Sequence, residues 1–338
     1  MKTTLKDIAR ACGVSTGLVS RIVNKDDTLR CTQETRDRVL KEIERTGFTP
    51  DYHAKHLANH SIKDSKDVCI GYITYKGAEV KVNAYFDRIA EGVTTILESA
   101  NYRIVRFYMD EVAKLYQKKA PLTDKKLDGL ILFGDVSEGL MQYLSEQAKC
   151  ISSVYGVVKE GVDFVGCDLM TSMNLMMDYV KEIGYKEIGV LFGTDKRRNE
   201  ALKEYIGKIG LSVNEEYSFD AGYRARTAYE GVKKRLAERK PPKMICCMND
   251  EMAIGVMNAV LEAGYRIPED VSVTGHDDIL KGHYYRVPLT TIRVRKEEVG
   301  RLVADLMLER INYKRKFAVK VFVPCELVVR KSTQKNKE

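Results

Sequence analysis

The 338-residue chain contains no run of about eighteen apolar residues, which excludes a membrane-spanning helix on the length that a bilayer requires. Its first ten residues, MKTTLKDIAR, are polar and helical in pattern rather than a charged lead into an apolar segment. No secretory leader is therefore expected, and the protein is read as soluble and cytoplasmic. Eight cysteines are scattered at positions 12, 31, 69, 150, 167, 246, 247 and 325, with no C-x-x-C spacing. Neither a zinc site nor a disulfide framework is signalled, so they are read as reduced small hydrophobes. The chain lacks a serine-centred elbow, a glycine-rich phosphate loop and any His/Cys/Asp group at metal-ligand spacing, which removes the usual supports for catalysis or a metal. His276, Asp277 and Asp278 are adjacent, and neighbours in sequence rarely converge on one substrate atom. No enzyme, metal or cofactor is expected.

What is present is a 44% hydrophobic chain with a net charge of +8, long enough for two or three units that each bury a core. Residues 1–66 hold 13 Lys/Arg against 9 Asp/Glu, so half of the positive excess sits in a fifth of the chain. A small basic module with a polyanionic partner, joined to a nearly neutral larger one, fits that asymmetry.

Along the first module, apolar residues fall at Leu5, Ile8, Ala9 and Cys12, then at Leu18, Val19, Ile22 and Val23. Spacings of three and four predict two short amphipathic helices. Gly13 ends the first and Ser15 caps the second, a helix-turn-helix pattern. A third helix is capped near Thr32 and stops at Gly47. Residues 50–66 read as a linker with one short helix, Tyr52 to Asn59. From Val68, strands such as VCIGYI, DGLILF, KEIGVLF, MICCM and VSVTG alternate with amphipathic segments, which predicts parallel α/β sheets in two similar subdomains. The tail STQKNKE is expected to be disordered.

A helix that reads DNA must lay its first turn against base edges in the major groove, and short exposed side chains admit that approach. Ser15, Thr16, Gly17, Ser20 and Arg21 sit on that turn and the next, with Asn24 just beyond. Thr16 and Arg21 suit base reading, whereas Ser15 and Ser20 suit phosphates. Spacing alone leaves open a small helical subdomain packed on the core. Ligands of two-lobed α/β proteins bind at the carboxyl ends of strands. Polar residues stand at such points in NDEMAIG (Asn249, Asp250), TGHDDI (His276, Asp277) and GTDKRR (Arg198). Each is also a plain helix-cap position, but together a guanidinium, carboxylate and amide suit adjacent hydroxyls.

The stretches TLKDIARACGVSTGLVSRIVNKD and TRDRVLKEIERTGFTPDYHAKHLA closely resemble the DNA-binding domain and hinge of the lactose and galactose repressor (LacI/GalR) family. NDEMAIGVMNAVLEAGYRIPEDVSVTGHDDI, PLTTIRV and ELVVRKST are similar to its effector-binding core, so the resemblance covers nearly the whole chain. It implies an all-α helix-turn-helix domain (1–49), a hinge helix and linker (50–66), and a periplasmic-binding-protein-like core (67–330) of two doubly wound parallel-sheet subdomains. The first subdomain is expected at about 67–158 and 293–320, the second at about 159–292 and 321–330, with a disordered tail at 331–338. By family pattern Thr16 and Gly17 vary with the operator, Arg21 contacts bases, and Lys55, Leu57 and Ala58 belong to a hinge in which Leu57 wedges into the minor groove. His53, His56 and His60 share that hinge and are read as solvated near phosphate rather than as metal ligands. Arg198, Asn249 and Asp277 fall on effector positions, Tyr223 where an aromatic lines the pocket, and Tyr85 or Phe86 where a ring stacks. Departures at Asp168, Leu169, Ser172 and His276 leave the effector open: a sugar or sugar phosphate by family habit, with a nucleobase as the alternative. Lys196 and Arg197 hint at an anion, although such clusters are commonly solvated faces. The implied protein is a homodimeric repressor of double-stranded operator DNA; a sugar-binding protein without a DNA role would not carry the first 60 residues.

Overall fold

A computed structural model describes residues 5–23, 29–46, 68–75, 84–156 and 159–336, and the chain divides into two compact units, Met1–Ser65 and Lys66–Glu338. In the first, α1 (Leu5–Cys12), α2 (Thr16–Val23) and α3 (Gln33–Thr46) bury Ile8, Ala9, Cys12, Val19, Ile22 and Val39 against one another. All but Val39, which the third helix supplies, are apolar positions that the three-and-four spacing marks. Gly13 takes a left-handed φ of 64° between α1 and α2, a conformation cheap only for glycine. Ser15 then opens α2, its Oγ accepting from the Leu18 amide at 3.2 Å.

The second unit begins with β1 (Cys69–Thr74), α4 (Ala84–Ser99), β2 (Arg103–Tyr108), α5 (Met109–Gln117), β3 (Gly129–Phe133), α6 (Glu138–Gln147), β4 (Ile151–Val154) and β5 (Asp163–Gly166). It continues through α7 (Leu169–Glu182), β6 (Glu187–Phe192), α8 (Lys196–Lys208), β7 (Ser212–Val213), β8 (Phe219–Asp220), α9 (Ala225–Leu236), β9 (Met244–Cys247), α10 (Asp250–Glu262) and β10 (Ser272–Thr274). It ends with α11 (Leu280–His283), β11 (Thr291–Arg293), α12 (Lys296–Tyr313), β12 (Lys320–Phe322) and β13 (Glu326–Val328). The strands form a six-stranded parallel sheet ordered β12-β5-β4-β3-β1-β2, a second sheet ordered β10-β9-β6-β7 with β8 also on β6, and a β11-β13 antiparallel ribbon. Alternation along β3 shows why both faces of the first sheet are covered: Ile131 and Phe133 join one core, Leu130 and Leu132 the other. That two-sided burial accounts for the continuous apolar text of these strands.

Strand pairing moves the lobe boundaries. β5 pairs with both β4 and β12, so the first crossing follows Gly166 rather than residue 158, and the last follows Phe322 rather than residue 320. The chain also crosses between β11 and α12. The tail departs from expectation more sharply. Ser332 is fully buried, its Oγ donating to the Val273 carbonyl and accepting from the Thr290 amide. Gln334 donates to the Pro268 carbonyl and the Asn336 amide to that of Ile183. A polar tail of this composition reads as disordered until the unpaired backbone of β10 gives it hydrogen-bond partners.

α4 and α12 pack so closely that a Cβ on Gly92 would stand 2.2 Å from the Glu297 carbonyl oxygen, and one on Gly300 2.0 Å from that of Ile89. Neither obstacle is a movable side chain. Gly300→Ala should therefore force the helices apart and lower stability by about 1–3 kcal/mol, the range for overpacking. Denaturant unfolding would read this as a lower midpoint at unchanged slope; an unchanged midpoint would show that the pair yields freely.

Candidate functional site

The outward face of α2 presents Thr16, Gly17 and Arg21 as exposed residues, with Ser15 exposed just before it and Ser20 half-buried. Val19 and Ile22 point the other way into the three-helix core. A Cβ at Gly17 would meet only the Ser15 hydroxyl at 3.9 Å, so packing within the unit does not demand glycine there. Asn24, Lys55, Leu57 and Ala58, with His53, His56 and His60, lie outside the described residues.

In the second unit the strands of both sheets end on one cleft. From the first lobe come Asp135 and Tyr155 after β3 and β4, and Cys167 after β5; from the second come Asp195 and Arg198 around the start of α8. They line a cavity of about 460 Å³ together with Asp168, Arg197 and Phe322. Asp168 and Asp195 are helix caps as well. Asp168 Oδ1 accepts from the amides of Met170 and Thr171, both at 3.1 Å, and Oδ2 from the Thr171 hydroxyl at 2.7 Å. Those bonds, the Thr171 hydroxyl foremost, hold its carboxyl below the ordinary carboxylate range. Asp195 caps α8 through the amides of Arg197 and Arg198.

Three of the sequence-derived ligand residues form one chain of contacts. Arg198 Nη1 donates to the Tyr223 hydroxyl and Asn249 Nδ2 to the Tyr223 carbonyl, each at 3.3 Å. Asn249 Oδ1 caps α10 by accepting from the Met252 amide at 2.9 Å. Tyr223 holds a left-handed φ of 61°, and its ring fills the space where a Cβ on Gly193 would lie, 2.0 Å from Cζ. Burial raises its phenol pKa, with the Arg198 guanidinium acting against the shift. Of the Asn-Asp pair, Asp250 is structural: fully buried, it accepts from the Thr291 hydroxyl at 2.6 Å and the Ile279 amide at 2.8 Å.

Asp277 stands apart from that chain. His276 is buried with Nδ1 against Asp277 Oδ1 and Nε2 against Ser172 Oγ, both at 2.9 Å. The imidazole thus holds the carboxylate in place where the resemblance expects an aromatic. Asp277 and Asp278 have φ of 114° and 53°, costly values for residues with a Cβ. Their carbonyls accept from the buried ammonium of Lys296, which begins α12 of the other lobe. Lys296 Nζ also lies 5.9 Å from the Tyr85 ring centroid. Tyr85 packs on Phe86 and Tyr155, and burial, followed by the neighbouring Tyr155 and Asp277, pushes its phenol pKa well up. Phe86 stacks back on Phe133 and tilts against Tyr75, so Tyr85 is the ring nearer to Asp277 and Lys296.

Sequence reasoning missed Asp135, Tyr155 and Asp195 as cleft residues and marked Asp168 only as a departure that leaves the effector open. The strand-end rule that found Arg198 finds them too, since each follows a strand; Asp168 and Asp195 read locally as helix caps. Lys296 carried no signal, because it is brought to the site by a helix start remote in sequence.

Residues 4–51 match the model of the bacterial regulatory proteins of the lacI family, and residues 177–333 that of a periplasmic binding protein-like domain. The HTH-type transcriptional repressor PurR of Pasteurella multocida is 30% identical over 342 residues, covering 98% of each chain. The protein of the same name from Vibrio vulnificus is 27% identical over 98% of this chain and 99% of that one. Among solved structures, a CelR-cellobiose complex superposes with a TM-score of 0.69 at 20% identity, over 98% of this chain and 99% of that one. A regulator from Enterococcus faecium with bound ribose does so at 0.67 and 22%, over 80% of this chain and 100% of that one. Fold and cleft thus define a DNA-binding regulator with an effector core. The chain belongs to the lacI family of bacterial regulatory proteins and is a transcriptional repressor rather than an enzyme. Regulators of this family bind operator DNA and small-molecule effectors and function as dimers. No helix among the described residues is long and apolar enough to cross a membrane.

Asp168→Ala should cost about 1 kcal/mol through loss of the α7 cap. Because the folded carboxyl titrates below its unfolded value of about 3.9, the cost should be complete above that pH and fade as pH falls through the lower folded value. Paired denaturation of both proteins between pH 7 and 3 measures this, and a pH-independent gap would contradict the cap.

Proposed function

We propose that the repressor's effector is a carbohydrate, a sugar or sugar phosphate, held in the cleft between the two lobes. The observation that carries this reading is the lining: carboxylates of Asp135, Asp168 and Asp195 and the guanidinium of Arg198 stand around the rings of Tyr155 and Phe322. Vicinal hydroxyls require acceptors and forked donors side by side, and the apolar face of a sugar ring packs on aromatic carbon. A cavity of about 460 Å³ falls within the span of small-molecule pockets. The cellobiose and ribose of the CelR complex and the Enterococcus faecium regulator support the same class. Tyr85, Tyr223 and Asn249 complete the site, and Asp277 reaches it from the strained loop after β10.

On the DNA side, Thr16, Gly17 and Arg21 face base edges while Ser15 and Ser20 face phosphates, with Asn24 also binding DNA and Lys55, Leu57 and Ala58 in the hinge. The protein acts as a cytoplasmic homodimer on a pseudo-palindromic operator. An effector switches it only by binding the DNA-competent and DNA-incompetent states unequally.

A thermal-shift screen of the purified protein against sugars, sugar phosphates and nucleobases tests the effector class. A ligand at a hundred times its dissociation constant adds about 2.7 kcal/mol to stability, which raises the melting temperature by several degrees. A sugar is expected to do this, and Arg198→Ala or Asp277→Asn should abolish the shift while leaving DNA binding intact. A shift from nucleobases alone would overturn the carbohydrate reading.

A further inference from the structure

Two cysteines meet where the chain passes between the lobes. Cys167 directly follows β5, on the first crossing into α7; Cys325 lies between β12 and β13, on the last. β5 and β12 pair in parallel with Gly166 opposite Phe322, and the Val323 amide donates to the Gly166 carbonyl at 2.7 Å. The two crossings therefore leave the sheet side by side. Beyond that pairing the Cys167 and Cys325 sulfurs come within reach of a shared hydrogen bond. Both cysteines are free thiols. Cys167 lines the cleft cavity, and Cys325 is partly exposed, which gives a small oxidant two approaches.

We propose that Cys167 and Cys325 form a redox-modifiable pair whose disulfide, made by a peroxide, fastens two of the three lobe crossings together. The pair is sorted by exposure for this chemistry. Cys325 is the more exposed of the two and meets a solute first, whereas Cys167 is buried; the shared hydrogen bond lowers the Cys325 thiol against its burial and the nearby Asp277 carboxylate. The thiolate is the reactive form of cysteine. Cys325 sulfur attacks the peroxide: an S–O bond forms, the O–O bond breaks, and the leaving hydroxide takes a proton to become water. Sulfur is oxidised by two electrons to a sulfenic acid and the peroxide is reduced. Cys167 sulfur then attacks the sulfenic sulfur, an S–S bond forms, the S–O bond breaks, and the second water leaves with the thiol proton. A dithiol reverses the change by exchange.

The consequence for regulation rests on the reading of the cleft as the effector site. A bond across two crossings restrains the relative motion of the lobes that an effector must bias, so oxidised protein holds one lobe arrangement whatever ligand is present.

The test uses the full chain without any effector, so its failure is distinct from failure of the carbohydrate reading. Protein is treated with stoichiometric hydrogen peroxide, alkylated and digested without reductant. The expected product is one linked peptide pair joining Cys167 to Cys325, with six of the eight cysteines alkylated, and dithiothreitol should restore all of them. Hydrogen exchange at the third crossing, Val294 to Lys296, which oxidation does not touch chemically, should slow at least about fivefold, the low end of ordinary coupling. Cys325→Ser should give neither the link nor the slowing. Absence of the linked peptide, a different partner for either cysteine, or persistence of the slowing in Cys325→Ser would overturn the pair. A link without slower exchange would overturn the restraint. Wild-type protein alone decides the first arm, so a variant that fails to fold does not blunt it.

Discussion

A buried ammonium needs a partner for each of its three hydrogens, and Lys296 finds them in the carbonyls of Asp277, Asp278 and Val294. Two of these carbonyls belong to the second lobe and one to a crossing, while Lys296 itself begins α12, which packs on the first sheet. The same ammonium faces the Tyr85 ring. One cation therefore fixes the loop carrying Asp277, an aromatic wall of the opposite lobe and the path of the chain between them. Removing a single partner from such an arrangement leaves buried polar groups unpaired, a penalty of about 1–3 kcal/mol for each.

The loop it holds is strained, and the strain is stabilised on every side. Asp278 pairs with Arg293 at 2.6 Å and Arg330 at 2.5 Å; burial pushes its carboxyl upward, but the two guanidiniums prevail and hold it low. Arg293 continues to Glu326 across the ribbon. Asp250 ties the loop back to α10 and β11. Consecutive left-handed aspartates cost free energy and persist only where surrounding contacts over-determine them. Here that rigidity fixes the Asp277 carboxylate against the buried His276 imidazole.

Much of this was legible before any coordinates. Period-two and period-three-and-four patterns located the helix-turn-helix, the alternating strands and helices, and the strand ends where Arg198, Asn249 and Asp277 stand. What escaped has a common physical cause. The contacts of Lys296 with Tyr85 and of Cys325 with Cys167 span more than a hundred residues of chain and depend on how the crossings thread, which periodicity does not encode. Asp168 and Asp195 do two things at once, and the local signal reveals only the cap. The tail seemed disordered because its polar side chains serve hydrogen bonds to a sheet edge, not a core. Among the described residues nothing near Gly17 requires a glycine, since a Cβ there would meet only the Ser15 hydroxyl at 3.9 Å.

Ligand response that depends on the two lobes being held jointly should depend on Lys296. The most direct measurement compares affinity for an operator, selected from random duplexes, with and without the stabilising sugar in wild type and in Lys296→Met. Wild type should change affinity at least about fivefold on adding sugar, whereas Lys296→Met should bind the operator and respond little or not at all. An equal response in both would show that the Lys296 tie is incidental and that coupling runs through other contacts.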